Sequence, residues 1–147
     1  MTELFIASYP VRFGEIDHAG VMYYPAIFDR IHRAFEDFWP HALGQTYAQV
    51  LADDGIGFPL VDVQASFARP FRFGDQVEVS IGVIRLGTQS VDFAVRLGSP
   101  GETKPRATAR LTTAVIDLES FRPASLPQRY REALTRLLEP GDGTGDT

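Results

Sequence analysis

The sequence predicts an α+β fold in which one long helix covers a face of an antiparallel sheet. Three observations carry this: a strand-like segment near the start, one strongly amphipathic helical segment after it, and a remainder that reads almost entirely as strands joined by turns. With 147 residues, 44% of them hydrophobic and 12% aromatic, the chain is sized for one domain with a substantial core. That domain is expected over residues 1–138, with residues 139–147 as a mobile tail, because this last stretch is acidic and glycine-rich and offers no apolar anchor.

Residues 4–13 are apolar and aromatic without glycine and read as the first strand, with Pro10 suited to an edge or a bulge. The segment Gly14-Glu-Ile-Asp-His-Ala-Gly20 reads as a loop leading into a helix. From Tyr24-Pro25 onward Ile27, Phe28, Ile31, Ala34, Phe35 and Phe38 recur at spacings of three and four, with Asp29, Arg30, Arg33, Glu36 and Asp37 largely between them. Pro25 fits the first helical turn, where its missing N–H has no partner to lose, and Pro40 falls where the helix should stop or bend. A short helical piece is expected over residues 47–52, ended by Asp53-Asp-Gly-Ile-Gly57.

Four further strands follow. Residues 58–67 alternate in part, through Val61, Val63, Ala65 and Phe67, and residues 76–86 alternate clearly through Val77, Val79, Ile81 and Val83. Residues 91–97 and 107–118 supply the others, with turns at Gly74-Asp75, Gly87-Thr88 and Gly98-Ser-Pro-Gly101. Residues 127–138 read as a terminal helix. One helix cannot cover so large a sheet, so self-association is expected.

Composition narrows the function. Without cysteine there is no disulfide, no thiolate nucleophile and no cysteine zinc site. His18, His32 and His41 match none of the compact metal-binding spacings, and neither a metal nor a cofactor is expected. A net charge of −5 argues against nucleic acid. No apolar run approaches the length of a membrane span and the opening Met-Thr-Glu-Leu-Phe lacks signal-peptide character, so the expected location is the cytoplasm, away from membranes.

The stretch Arg12-Phe-Gly-Glu-Ile-Asp17-His-Ala-Gly20-Val-Met-Tyr-Tyr24-Pro25 resembles the signature of hotdog-fold thioesterases of the 4-hydroxybenzoyl-CoA thioesterase type. Gly57-Phe-Pro-Leu-Val-Asp-Val-Gln-Ala-Ser-Phe67, Arg69-Pro-Phe-Arg-Phe-Gly-Asp75 and Arg85-Leu-Gly-Thr-Gln-Ser90 resemble further motifs of that family, in the same order. The resemblance implies a sheet wrapped around a central helix and hydrolysis of an acyl-CoA to free CoA and a carboxylic acid, the acyl group aromatic or of medium length. It implies Asp17 as the catalytic carboxylate, acting as nucleophile or as general base on water, and the backbone amide of Tyr24 as the donor to the thioester oxygen. A helix start carries unsatisfied N–H groups and partial positive charge, which suits that second role. It also implies a homodimer or homotetramer, with the tetramer expected.

Each of these residues also has a plain structural reading. An Asp ahead of a helix ordinarily caps it or accepts backbone hydrogen bonds, and only the surrounding motif favours catalysis for Asp17. Gly20 allows the tight turn that brings loop and helix end together. Tyr23 and Phe58 are candidates to line the acyl pocket, although aromatic residues at such spacings are commonly core. His32 stands where relatives acting on hydroxybenzoyl groups carry an acid, which argues against that substrate and leaves either substrate contact or a hydrogen-bonded helix residue. Arg85 and Ser90 are candidates for the CoA phosphates or pantetheine. The competing functions are a hotdog dehydratase or hydratase, which would centre on a His paired with an acid, and a non-catalytic acyl-CoA binding module.

Overall fold

A computed structural model describes residues 4–140. The amphipathic segment forms α1 (Tyr24–Leu43), and its apolar stripe is what the rest of the chain packs on. Ahead of it lie β1 (Phe5–Pro10) and a 3-10 turn (Phe13–Glu15); after it come α2 (Tyr47–Asp53), β2 (Ile56–Gly57), β3 (Leu60–Phe67), β4 (Gln76–Leu86), β5 (Ser90–Gly98), β6 (Ala107–Ala114), β7 (Ile116–Asp117), β8 (Arg122–Pro123) and α3 (Gln128–Thr135). The main sheet has five strands in the order β1-β4-β5-β6-β3, all antiparallel, and β2, β7 and β8 make a separate small sheet.

Alternation along the strands decides which face meets the helix. Val77, Val79, Ile81 and Val83 of β4 and Val91, Phe93, Val95 and Leu97 of β5 are buried, together with Ile27, Ile31, Ala34, Phe35 and Phe38 of α1. Phe35 and Phe38 meet Phe93 nearly edge-on at 5.3 and 5.6 Å, an arrangement aromatic rings favour. This is the sheet around a helix that the family resemblance implied.

Four local expectations change. The helix does not stop at Pro40 but runs three residues further to Leu43, and its end is set by Gly44, whose φ of 71° and N–H to the Pro40 carbonyl cap the last turn. Arg30, expected on the solvent side, is only 9% exposed, because its guanidinium reaches the Glu15 carboxylate at 2.7 and 2.8 Å. The strand read as 107–118 breaks at Val115, whose N–H turns to the Gln89 carbonyl, and the chain re-enters the small sheet as β7. β3 forms within the expected segment, but its register slips between Leu60 and Asp62 and every one of its residues is exposed: it lies at the sheet edge, with β6 on one side and none of the described residues on the other.

The tail boundary also moves. Leu137 and Glu139 exchange backbone hydrogen bonds with Val83, continuing the row of β1 past its start at Phe5, and the Glu139 carboxylate lies across Gly82 to reach Arg96 at 2.8 and 2.9 Å. Residues 141–147, most of the expected tail, lie outside the described residues.

Two clusters of charge brace the region between β1 and α1. Arg30 joins Glu15 to α1 and lies 4.7 Å above the Tyr9 ring, and the Tyr9 hydroxyl donates to Asp37 at 2.6 Å. Burial, then that hydrogen bond, pushes the Tyr9 phenol well above its ordinary pKa. Arg106 lies 5.0 Å from the Phe71 ring and donates to Glu102, Asp75 and the Pro70 carbonyl, tying β6 to the turn ahead of β4. Its hydrogen bonds hold the Glu102 carboxyl at a pKa of about 2.

Replacing one partner of a buried ion pair strands the other charge. Arg30→Met should cost about 3 kcal/mol and lower Tm by several degrees, whereas Glu15→Leu combined with Arg30→Met should recover most of the loss, as calorimetry of both variants would show. A lowered carboxyl pKa stabilises the fold above the ordinary value of 4.5, and this stabilisation fades as pH falls towards about 2. The Tm curves of the wild type and Glu102→Gln should therefore differ above pH 4.5 and converge near pH 2.

Candidate active site

The loop between the 3-10 turn and α1 doubles back on itself. Ile16 and Met22 form an antiparallel bridge, the Asp17 N–H donates to the Val21 carbonyl at 2.9 Å, and the Gly20 N–H returns to the Asp17 carbonyl at 2.9 Å. Gly20 takes φ +80°, the left-handed conformation such a reversal needs and that a side chain disfavours. Asp17 is thus folded back beside the residues that lead into α1. Its Oδ1 accepts from the Ala19 N–H at 2.8 Å and the Val21 N–H at 3.4 Å, while Oδ2 has no partner among the described residues and the residue is open to solvent. The structural role expected of an Asp here is real, and it occupies only one of the two carboxylate oxygens.

The helix start beside it is equally under-committed. Tyr23 is the N-cap, without a side-chain cap bond, and Pro25 has no N–H. The Tyr24 N–H meets no acceptor among the described residues. Such an amide, at the positive end of a 20-residue helix, can donate to an oxygen that gains negative charge.

Neighbouring elements hold this loop from both sides. On one side Glu15 is clamped by Arg30, accepts the Arg12 N–H on its carboxylate at 2.8 Å and accepts the Tyr23 N–H on its carbonyl at 3.3 Å. On the other, the Met22 N–H donates to the Phe71 carbonyl at 2.8 Å and Val21 bridges to Arg72, within the turn braced by Arg106. Neither Arg30 nor Arg106 figures in the sequence motif as a functional residue. Glu15, the last residue of the motif's Arg-Phe-Gly-Glu run, was the available signal, since an acidic side chain there needs a cation.

Two apolar hollows adjoin α1. A smaller one of about 290 Å³ is lined by Met22, Tyr24 and Ile27 and by the chain from Phe67 to Pro70. A larger one of about 550 Å³ lies further along the helix, between Phe28, Phe35, Tyr47, Phe58 and Leu60, with His32 and Thr113 at its wall. Phe58 is 4% exposed and packs 4.6 Å from Trp39, so it is both core and pocket wall. His32 is mostly solvent-exposed and its Nε2 meets the Glu36 carboxylate at 3.1 Å. Tyr23, Tyr24, Phe67, Phe13 and Phe73 leave a broad aromatic surface open around the loop, Phe13 and Phe73 in edge contact at 5.7 Å.

Arg85 and Ser90 do pair with each other, at 3.4 Å, but not with this site. β4 begins beside the loop, where the Val11 N–H binds the Asp75 carbonyl, and Arg85 lies nine residues along it, about 30 Å away. The turn they occupy is fastened to α3 instead, by the Arg131 guanidinium on the Gly87 carbonyl at 2.7 Å.

Known proteins give this geometry a context. A 1,4-dihydroxy-2-naphthoyl-CoA hydrolase of Synechococcus elongatus is 28% identical over 125 residues, 84% of this chain and 90% of that protein. A hypothetical protein of Thermus thermophilus superposes with a TM-score of 0.82 at 28% identity, over 94% of this chain and all of that one. A 1,4-dihydroxy-2-naphthoyl-CoA thioesterase of Synechocystis shares the fold with a TM-score of 0.80 at 22% identity, again over 94% and 100% of the two chains. The sequence model of one family, the Thioesterase-like superfamily, matches residues 11–134, which takes in the loop, the helix and the whole main sheet after β1, and the chain belongs to that superfamily.

Proposed function

We propose that this protein hydrolyses an aromatic acyl-CoA, with the Asp17 carboxylate and the Tyr24 amide acting on one thioester carbonyl. The observation that carries the reading is the loop folded back so that a carboxylate oxygen and a helix-end N–H, both uncommitted, stand at the same end of α1 beside an apolar hollow. The Tyr24 N–H donates to the carbonyl oxygen as it becomes an oxyanion. Asp17 supplies the negative charge at the carbonyl carbon, by direct attack through Oδ2 or by taking a proton from the water that attacks. The C–S bond then breaks and CoA leaves as the thiol, taking the proton that Asp17 drew from the attacking water or, on the direct-attack route, one from solvent; on that second route water then hydrolyses the acyl–Asp17 anhydride, which releases the acid and restores the carboxylate. The naphthoyl-CoA hydrolase among its relatives, and the aromatic lining of the hollows, favour a ring-bearing acyl group. A CoA substrate favours the cytoplasm as its place of work.

The active unit in this reading is at least a dimer. β3 presents an unpaired edge with Leu60, Val61 and Val63 exposed, and the aromatic surface around Asp17 is open in the single chain; pairing β3 with its copy would cover the edge and wall the site. Among the described residues His32 with Glu36 is the one His–acid ion pair that a hydratase reading has to offer, and it lies eight residues along α1 from Tyr24, about 12 Å from the helix start.

Asp17→Asn keeps an oxygen to accept from Ala19 and Val21 while removing the charge, so the loop should hold its shape and Tm should barely move. kcat on an aryl-CoA should fall by at least about a hundredfold with KM little changed, read as free CoA captured by a thiol reagent. An unimpaired rate would remove Asp17 from the mechanism, and a wild type that releases no CoA from any acyl-CoA would remove the thioesterase reading. Sedimentation at assay concentration should show a dimer or larger species. Val61→Lys, which sets a charge on the open edge, should shift it towards monomer and reduce turnover; an active wild-type monomer would contradict the shared site.

A further inference from the structure

Two hollows of different size lie along one helix, and a single ring contact stands between them. Phe28 faces the larger hollow and Phe67 the smaller, and their rings meet edge to face at 6.1 Å and 89°. On its other side Phe28 meets the Tyr24 ring at 6.5 Å and 85°, so the three rings form a continuous row from the helix start. Phe28 comes from α1 and Phe67 from the end of β3, and the row therefore bridges helix and sheet edge.

We propose that the Phe28–Phe67 pair is a specificity partition: it closes the hollow beside the Tyr24 amide off from the larger one and restricts the acyl group to compact, ring-sized structures. The inference rests on the thioesterase reading. Phe28 lies one helical turn from Tyr24, about 6 Å along the axis, so an acyl group whose carbonyl sits on the Tyr24 N–H meets the ring pair after roughly the length of one aromatic ring. The smaller hollow, about 290 Å³, has room for such a ring; an apolar cavity of about 150 Å³ already takes up benzene. A long linear chain would have to continue past Phe28 to reach the larger, mostly apolar hollow, and the edge contact with Phe67 bars that route. Removing the Phe28 ring would join the two spaces along the helix.

The test compares kcat/KM for benzoyl-CoA and dodecanoyl-CoA in the wild type, Phe28→Ala, Phe28→Leu and Phe67→Leu. The wild type should prefer benzoyl-CoA. Phe28→Ala should move the ratio of the two constants towards dodecanoyl-CoA by at least about tenfold, the gain expected when two or so further methylene groups become buried. Phe28→Leu and Phe67→Leu should give smaller shifts in the same direction. If Phe28→Ala fails to fold, the two leucine variants decide. A folded variant with an unchanged ratio overturns the partition, as does a wild type that hydrolyses dodecanoyl-CoA as well as benzoyl-CoA. Should the wild type hydrolyse neither, the thioesterase reading is decided separately by the wider range of acyl-CoAs, and calorimetric titration with benzyl-CoA and dodecyl-CoA thioethers reads the partition by binding alone. Phe28→Ala should then tighten only the dodecyl ligand, and equal effects on both would sink the proposal.

Discussion

The buried contact between Glu15 and Arg30 is the constraint on which the functional end of this molecule depends. A guanidinium and a carboxylate taken out of water must find each other, and in doing so they fix the loop after β1 against the second turn of α1. Everything proposed to be chemical is downstream of that fastening. The reversal at Gly20, the return of Asp17 to Val21 and the free amide at Tyr24 are short-range features that keep their relation to the helix only because the loop's base cannot slide. Tyr9 and Asp37 extend the brace along the helix, and Arg106 supplies a second one from β6.

Much of this was legible in the residues. The alternation of Val77, Val79, Ile81 and Val83 reports a period of two that survives folding, because these side chains face a helix that was itself visible from Ile27, Ile31 and Phe35. The loop around Asp17 could be read because Gly20 permits the left-handed reversal that a side chain disfavours and Pro25 fixes φ for the start of a helix. What escaped notice involves partners distant in sequence. Arg30 looks like a surface residue until Glu15, across a loop, is brought beneath it. Pro40 signals a helix end by local rules, yet it lies in the last turn of α1 and Gly44 sets the actual end. The two-residue strands β2, β7 and β8 are too short to show any period. Arg85 and Ser90, read as candidates for the CoA phosphates or pantetheine, lie at the far end of the 11-residue strand β4 from Asp17, a distance that motif order does not reveal.

The same architecture explains why a site can be recognisable and still incomplete. Antiparallel sheets need cover on one face only, and α1 covers the central strands, leaving β3 at the margin. Its inward residues Leu60 and Val63 line a hollow instead of a filled core, and the proposed catalytic loop opens onto aromatic rings that no other part of the described chain covers. A chain built this way places its binding space where the core runs out.

β3 also bears on how the protein is made. It pairs within the chain with β6, Leu60 opposite Thr113, so on the ribosome β3 emerges long before its neighbour exists. During that interval Leu60, Val61, Val63 and Phe67 are an apolar, strand-prone segment with both edges open. Nascent chains of this protein therefore carry β3 without its partner strand while residues 68–114 are made, and crowding by sister chains or slow elongation through residues 68–106 bears directly on how much of it reaches the folded state.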